Sequence, residues 1–315
     1  MANCNEAGVR VVMCTGDNVL TAQSIAQKCG VYTPGGIIME GPYFRALPHD
    51  ALKVIAPQLQ ILARSTPEDK RFLVEILREC GDIVCVAGDG TNDGLALNAA
   101  HVGFSMGIAG TEVAKEASDI ILMDDNFSSI VKAILWGRSL NDFVRKFLQF
   151  QMSAKIPVAI ATLASSLLPS LVLNVAQLLW ILTIVDVFTP LALAAEPAKP
   201  ALLMRRPNKM TPLFTAEMIK HILGQSAYQI LVLLFLHLFA SRIPECQLVG
   251  DPVLQSPTQT LVFNTFVFAQ LFNTFNSRRL DIKLNVFEGI SNNWSFILIV
   301  SIGSSFAFPQ VYCCG

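Results

Sequence analysis

The chain has 315 residues, 52% of them hydrophobic and 15% charged, with a net charge of −1 and a mean hydropathy of +0.50. So apolar a composition excludes an ordinary soluble globular protein, and so balanced a charge gives no sign of nucleic acid as a partner. The eight cysteines (Cys4, Cys14, Cys29, Cys80, Cys85, Cys246, Cys313 and Cys314) show no paired spacing of a zinc site or disulfide framework, and are expected to be reduced thiols.

Over residues 1–150, short β-rich runs alternate with helical patterns, which predicts βαβ units and a parallel sheet. Strands are expected at 9–15, 60–66, 83–88, 102–107 and 119–124, and helices at 18–29, 67–80, 92–99, 110–117 and 127–150. Thr66 ahead of Pro67-Glu68-Asp69 is a helix opening, an N-cap followed by early acids. Beyond residue 151 the character changes. Five apolar runs follow at 152–168, 173–194, 219–240, 261–275 and 294–312, each near the roughly 20 residues that a bilayer crossing needs, though the fourth is short and polar. The residues after Met1 are polar and mixed, unlike a secretory signal, so insertion is expected from these internal segments.

The loops orient the spans. Arg138, Arg145 and Lys146 precede the first; Arg205, Arg206 and Lys209 follow the second; Arg278, Arg279 and Lys283 follow the fourth. The opposite loops, 169–172 and 241–260, hold Arg242 as their one basic residue. By the positive-inside rule, residues 1–151 are then cytoplasmic and the chain is a multi-pass integral membrane protein.

Three turns in the first half carry chemistry. Thr15-Gly16-Asp17 ends the first strand, Lys70 stands in Ser65–Lys70 ("STPEDK"), and Gly88–Asp93 ("GDGTND") ends a later strand. Ligand sites of open α/β sheets lie at such carboxyl ends. Glycines let a backbone approach an anion, a lysine neutralises a phosphoryl group, and paired carboxylates suit octahedral magnesium. In this order, "VMCTGDN", "STPEDK", "VAGDGTNDGLAL" and "GTEVAKEASDIILMDDNFSSIV" resemble the phosphorylation domain of P-type cation pumps, which has the haloacid dehalogenase fold; the last is similar to calcium pumps of the plasma-membrane and vacuolar kind.

The resemblance implies an α/β haloacid dehalogenase-like partial phosphorylation domain at 1–126, a stalk helix at 127–151 and a helical transmembrane domain at 152–315. It implies that Asp89 binds Mg²⁺ with Asp93 in support, that Thr15, Gly16, Lys70 and Asn92 contact the phosphoryl group, and that Asp17 lies near the nucleotide. ATP is then the substrate, Ca²⁺ the transported ion, and a plasma or internal membrane the location. The family's Asp-Lys-Thr-Gly-Thr string, which carries the phosphorylated aspartate, does not occur in the sequence, nor do a nucleotide-binding domain or the first four spans. The chain therefore reads as the C-terminal portion of a pump, a truncated gene product or a degenerate relative, with the N-terminal part of the pump missing from it. A split or inactive membrane protein and a membrane-tethered phosphatase are the other readings.

Ionisable and amide groups at membrane depth are candidates for the cation pathway. They are Lys155 in the first span, Asp186 in the second, and Gln270 and Asn273 in the fourth. Asp186 matches the family's sixth-span aspartate, whereas Lys155 and Leu182 stand where calcium pumps carry asparagines. An ammonium supplies no oxygen to a calcium ion, which wants six to eight. Lys155 either pairs with Asp186 as a built-in cation, favouring a proton or another cation as cargo, or snorkels to the cytoplasmic interface. Pro157 and Pro190 interrupt the backbone ladder inside two spans, as membrane helices do beside ion sites.

Overall fold

The computed structural model describes residues 1–167, 175–205, 212–239, 257–280 and 293–307. The chain divides into two compact units. One holds Met1–Arg138 and Lys199–Thr211, the other Ser139–Ala198 and Pro212–Gly315.

The first unit opens with a short helix α1 (Ala2–Glu6) and strand β1 (Met13–Cys14). Helix α2 (Val19–Cys29) starts where Asn18 accepts a hydrogen bond from the Thr21 N–H, and stops at Gly30, whose φ of 72° is the left-handed conformation of a helix C-terminus. Strand β2 (Ile37–Glu40), helices α3 (Gly41–Ala46) and α4 (His49–Ile55), and strand β3 (Leu59–Ala63) follow. β3 pairs in parallel with both β1 and β2, giving a three-stranded sheet of order β1-β3-β2. Ile61 and Ala63 pack against α2 with Ala22 and Ala26, while Leu59 and Leu62 join Phe44, Leu52 and Leu73 on the other side. Both faces are covered, as a parallel sheet requires.

Helix α5 (Pro67–Glu79) leads to strand β4 (Cys85–Gly88), helix α6 (Gly94–Ala99), strand β5 (Val102–Met106), helix α7 (Glu112–Glu116) and strand β6 (Ile120–Leu122). These strands form a second parallel sheet of order β4-β5-β6. The single sheet expected from the sequence is thus two half-sheets. The segment 30–59, for which the sequence pattern predicted no element, supplies β2, α3 and α4.

Helix α8 (Ser128–Leu167) runs 40 residues without a break, with Pro157 inside it. At its start Ile130 packs on Phe104 and Leu122. Arg138 then gives Nη1 to the carbonyls of Leu202 (3.0 Å), Leu203 (2.8 Å) and Arg205 (2.8 Å), and Nη2 to that of Ala7 (2.7 Å). Through Arg138 these contacts tie residues 199–205 to the first unit.

The second unit holds the rest of α8 and helices α9 (Val175–Ala194), α10 (Ala216–Phe239), α11 (Pro257–Ser277) and α12 (Trp294–Ala307). Its core is aromatic, with Phe150, Phe263, Phe266 and Phe296 buried around Ala154 and Ala192. Among the described residues, Ala216–Leu236 is long and apolar enough by itself to cross a membrane, with a mean hydropathy of 1.4. Arg206, Lys209, Arg242 and Lys283 of the orientation argument, and the side chain of Leu182, lie outside the described residues.

Candidate functional site

β1 ends at Cys14 and the chain turns through Thr15, Gly16 and Asp17. The turn is held from the β3–α5 connection. Thr15 N–H donates to the Leu62 carbonyl (2.9 Å), Ser65 N–H to the Thr15 carbonyl (3.0 Å) and Arg64 N–H to the Asp17 carbonyl (2.9 Å). The Ser65 hydroxyl donates to the Thr15 carbonyl as well, at 3.0 Å. Next to it, Thr66 and Asp69 form a reciprocal cap: Thr66 N–H donates to Asp69 Oδ2 (2.8 Å) and Asp69 N–H to Thr66 Oγ1 (3.3 Å). Arg45 holds the same Asp69 oxygen at 2.7 Å. This fixed first turn of α5 aims Lys70.

Lys70 Nζ lies 2.7 Å from Asp93 Oδ1, with both side chains largely covered. Asp93 Oδ2 accepts the Gly90 N–H at 3.2 Å, so one carboxylate both closes the Gly88–Asp93 turn and holds the lysine. A methyl group on Gly88 would stand 2.5 Å from Asp93 Cβ, which leaves glycine as the residue that fits. Asp89 is exposed; its carbonyl accepts the Thr111 N–H at 2.9 Å, and its carboxylate has no hydrogen bond among the described residues. Asn92 is exposed in the one-turn helix Thr91–Asp93. Gly16 and Asp17 are exposed and Thr15 is half-buried.

The two turns belong to the two half-sheets. β1 and β4 are terminal strands of their sheets, and both line one cavity of about 470 Å³. Arg10, ahead of β1, reaches Asp82, ahead of β4, at 3.4 Å. At the other end Cys14 feels the charges of both Lys70 and Asp93. The strands therefore run side by side in one direction, with the Thr15 and Asp89 turns at the same mouth. β4 is uncovered for a parallel strand: Cys85 and Ala87 are exposed and Ile83 is 58% exposed. Burial pushes the Cys14 thiol up to about 12, against the opposing pull of Lys70.

The second unit holds the polar groups expected at membrane depth. Lys155 Nζ of α8 lies 3.3 Å from Asp186 Oδ2 of α9. Gln270 and Asn273, both 1% exposed, sit on α11 in a buried chain of amides. Gln270 Nε2 donates to Gln229 Oε1 (2.9 Å), and Asn273 Nδ2 to Ser153 Oγ (2.8 Å) and Gln270 Oε1 (3.5 Å). Thr189 and Thr274 share a hydroxyl contact at 3.2 Å.

Residues 1–101 match the family described as haloacid dehalogenase-like hydrolase, and residues 170–314 match "Cation transporting ATPase, C-terminus". The chain is 56% identical over 314 residues to "Calcium-transporting ATPase 2" of Cryptococcus neoformans var. grubii, covering 98% of this chain and 22% of the relative. It is 53% identical to "Calcium-transporting ATPase 2" of Schizosaccharomyces pombe, over 95% of this chain and 23% of the relative. It is 45% identical to "Plasma membrane calcium-transporting ATPase 4" of Homo sapiens, over 95% of this chain and 26% of the relative. The chain belongs to the P-type cation-transporting ATPases. It spans about a quarter of the length of these curated relatives.

Within this P-type ATPase chain the expected phosphoryl-site residues fall on the Thr15–Asp17 and Gly88–Asp93 turns and, for Lys70, on the first turn of α5. Lys70 and Asp93 touch, Asp93 spends both oxygens inside the protein, and Asp89 is left as the exposed carboxylate of the Gly88–Asp93 turn. Among the described residues no three His, Cys, Asp or Glu side chains gather as a metal cluster. One exposed carboxylate still suits magnesium, which keeps several waters and takes one or two carboxylates beside substrate phosphates. Three participants were not foreseen. Arg10–Asp82 at the strand starts gave no local signal, since the partners are 72 residues apart. Gln229 did give one, as an amide inside the apolar run of α10.

Proposed function

We propose that this chain is the magnesium, phosphate and cation-pathway portion of an ATP-driven P-type pump, calcium-transporting in kind. The observation that carries the reading is the Lys70–Asp93 pair at the mouth of two parallel strands, with Asp89 free beside it and an open cleft between their edges. A cleft bounded by two parallel strand edges has the shape to take one further strand. That strand, from the remainder of the pump, would present the phosphorylated aspartate to the Thr15 and Asp89 turns.

In this reading Asp89 holds Mg²⁺, which neutralises developing charge on the transferred phosphoryl group when bound. Lys70 sets a positive charge at the same mouth, and Asp93 positions it. The Thr15 hydroxyl, the Gly16 N–H and the Asn92 amide bind phosphoryl oxygens, and Asp17 faces the nucleotide. Lys155, Asp186, Gln270 and Asn273 line the cation pathway. The protein is multi-pass, with spans at 152–168, 173–194, 219–240, 261–275 and 294–312 and residues 1–151 on the cytoplasmic side. It resides in the plasma membrane or an internal membrane.

The test joins the full chain to the upstream portion of the Schizosaccharomyces pombe relative. The product should form an acid-stable, hydroxylamine-labile phosphoenzyme from ATP and Mg²⁺, and also from inorganic phosphate and Mg²⁺. Asp89→Asn should lower both by about 100-fold or more, while leaving thermal stability nearly unchanged because the side chain is exposed. An assembled protein that forms no acyl phosphate from either donor would sink the reading.

A further inference from the structure

The five apolar segments read from the sequence contain one carboxylate, Asp186. Its Oδ2 lies 3.3 Å from Lys155 Nζ. A second pair joins the same two stretches of chain, where Lys146 Nζ meets Glu196 Oε2 at 2.6 Å and Arg278 Nη2 stands 3.5 Å from Glu196 Oε1. Lys155 is nine residues further along α8, and Asp186 is ten residues back from Glu196. The two pairs therefore share one antiparallel register. Nine residues of helix advance about 13.5 Å. Lys155, with 53% of its side chain exposed, reaches the one acid of the spans and not the Lys146–Glu196 end of the bundle.

We infer that Lys155 is a resident cation: it neutralises Asp186 in the place a transported ion would take, and it denies that place to a divalent ion. The inference rests on reading the chain as part of a calcium-type pump, and concerns which ion that pump takes. Calcium needs six to eight oxygens at about 2.3–2.6 Å and a surplus of negative charge. Here the single carboxylate and its ammonium sum to zero, and a divalent ion beside Asp186 would meet a like charge. Three neutral side-chain oxygens of the bundle are already engaged. Gln229 Oε1 and Gln270 Oε1 already accept amide N–H donors, and Ser153 Oγ accepts one from Asn273. The ammonium meets the condition that an arriving ion would otherwise meet, so phosphorylation from ATP proceeds without calcium at this site.

The full chain, assembled with the upstream portion of the Schizosaccharomyces pombe relative, is phosphorylated from ATP with calcium added or chelated by EGTA. The unmodified chain should give the same phosphoenzyme level in both. Lys155→Asn should fall about tenfold or more on chelation, and Lys155→Arg, which keeps the charge, should remain insensitive. An unmodified chain that requires calcium overturns the inference whatever the variants do, and so does a Lys155→Asn variant that stays insensitive. Phosphorylation from inorganic phosphate on the same membranes reports the phosphate site alone. If that persists while calcium is required, only the role of Lys155 is lost; if it is absent, the underlying reading falls and takes this inference with it.

Discussion

Cys14 shows what a single residue reports about the cleft. It closes β1, sits one residue before the Thr15 turn, and lines the cavity with Lys70 and Asp93. Its thiol is raised by burial to about 12, although the nearby Lys70 charge favours the thiolate. Desolvation wins because the ammonium is already committed to Asp93 at 2.7 Å. At pH 8 a thiol with that pKa is ionised to roughly one part in ten thousand, against about a quarter for an ordinary cysteine. Iodoacetamide at pH 8 should therefore modify the exposed Cys29 promptly and leave Cys14 untouched until the protein unfolds. Mass mapping of the alkylated peptides decides the matter, and equal rates at the two positions would mean that the half-buried Cys14 is as open to the reagent as Cys29.

At the scale of elements, the site depends on how α5 begins. Lys70 is the fourth residue of that helix, so its direction is set by the cap that Thr66 and Asp69 form. Thr66→Ala removes the side-chain half of the cap and should cost about 1 kcal/mol of stability, read as a lowered urea midpoint in detergent at unchanged slope. Asp69 would keep Arg45, so the helix should shift its start rather than unwind. This opening was legible in the sequence, because the cap residues, the proline and the acids are contiguous. The ends of β1 and β4 were legible for the same reason. What escaped was whatever depends on distant partners. β2 is four half-buried residues between glycines, too short to show a period of two, and it exists because β3 pairs with it. The division into two half-sheets escaped too, since alternation of strands and helices says nothing of which strands become neighbours. In the helical unit, Lys155 and Asp186 were legible as charges in apolar runs. Their shared register with Lys146 and Glu196 was not, because it needs two helices laid side by side.

The molecule as a whole is organised around a surface that its own strands do not satisfy. β4 pairs with β5 along one edge, and β1 with β3 along one edge, and their other edges border the same cavity. Backbone N–H and C=O groups along such an edge are strong, obligatory hydrogen-bonding groups, and a parallel sheet is ordinarily covered on both faces. The exposure of Ile83 and Cys85 follows from the same cause. Arg10–Asp82 at one end and the Lys70–Asp93 corner at the other would hold the gap in register for an incoming strand. Amide hydrogen exchange can test this directly. In the full chain alone, the amides of β4 should exchange quickly beside those of β3, which is buried and paired on both sides. After assembly with the upstream portion of a relative, β4 protection should rise by about tenfold or more while β3 changes little. A rise spread evenly over the first unit would indicate general stabilisation instead of strand insertion. Unchanged exchange at β4 would mean that its outer edge stays open in the assembled pump, and that the aspartate is presented by some route other than a strand in this cleft.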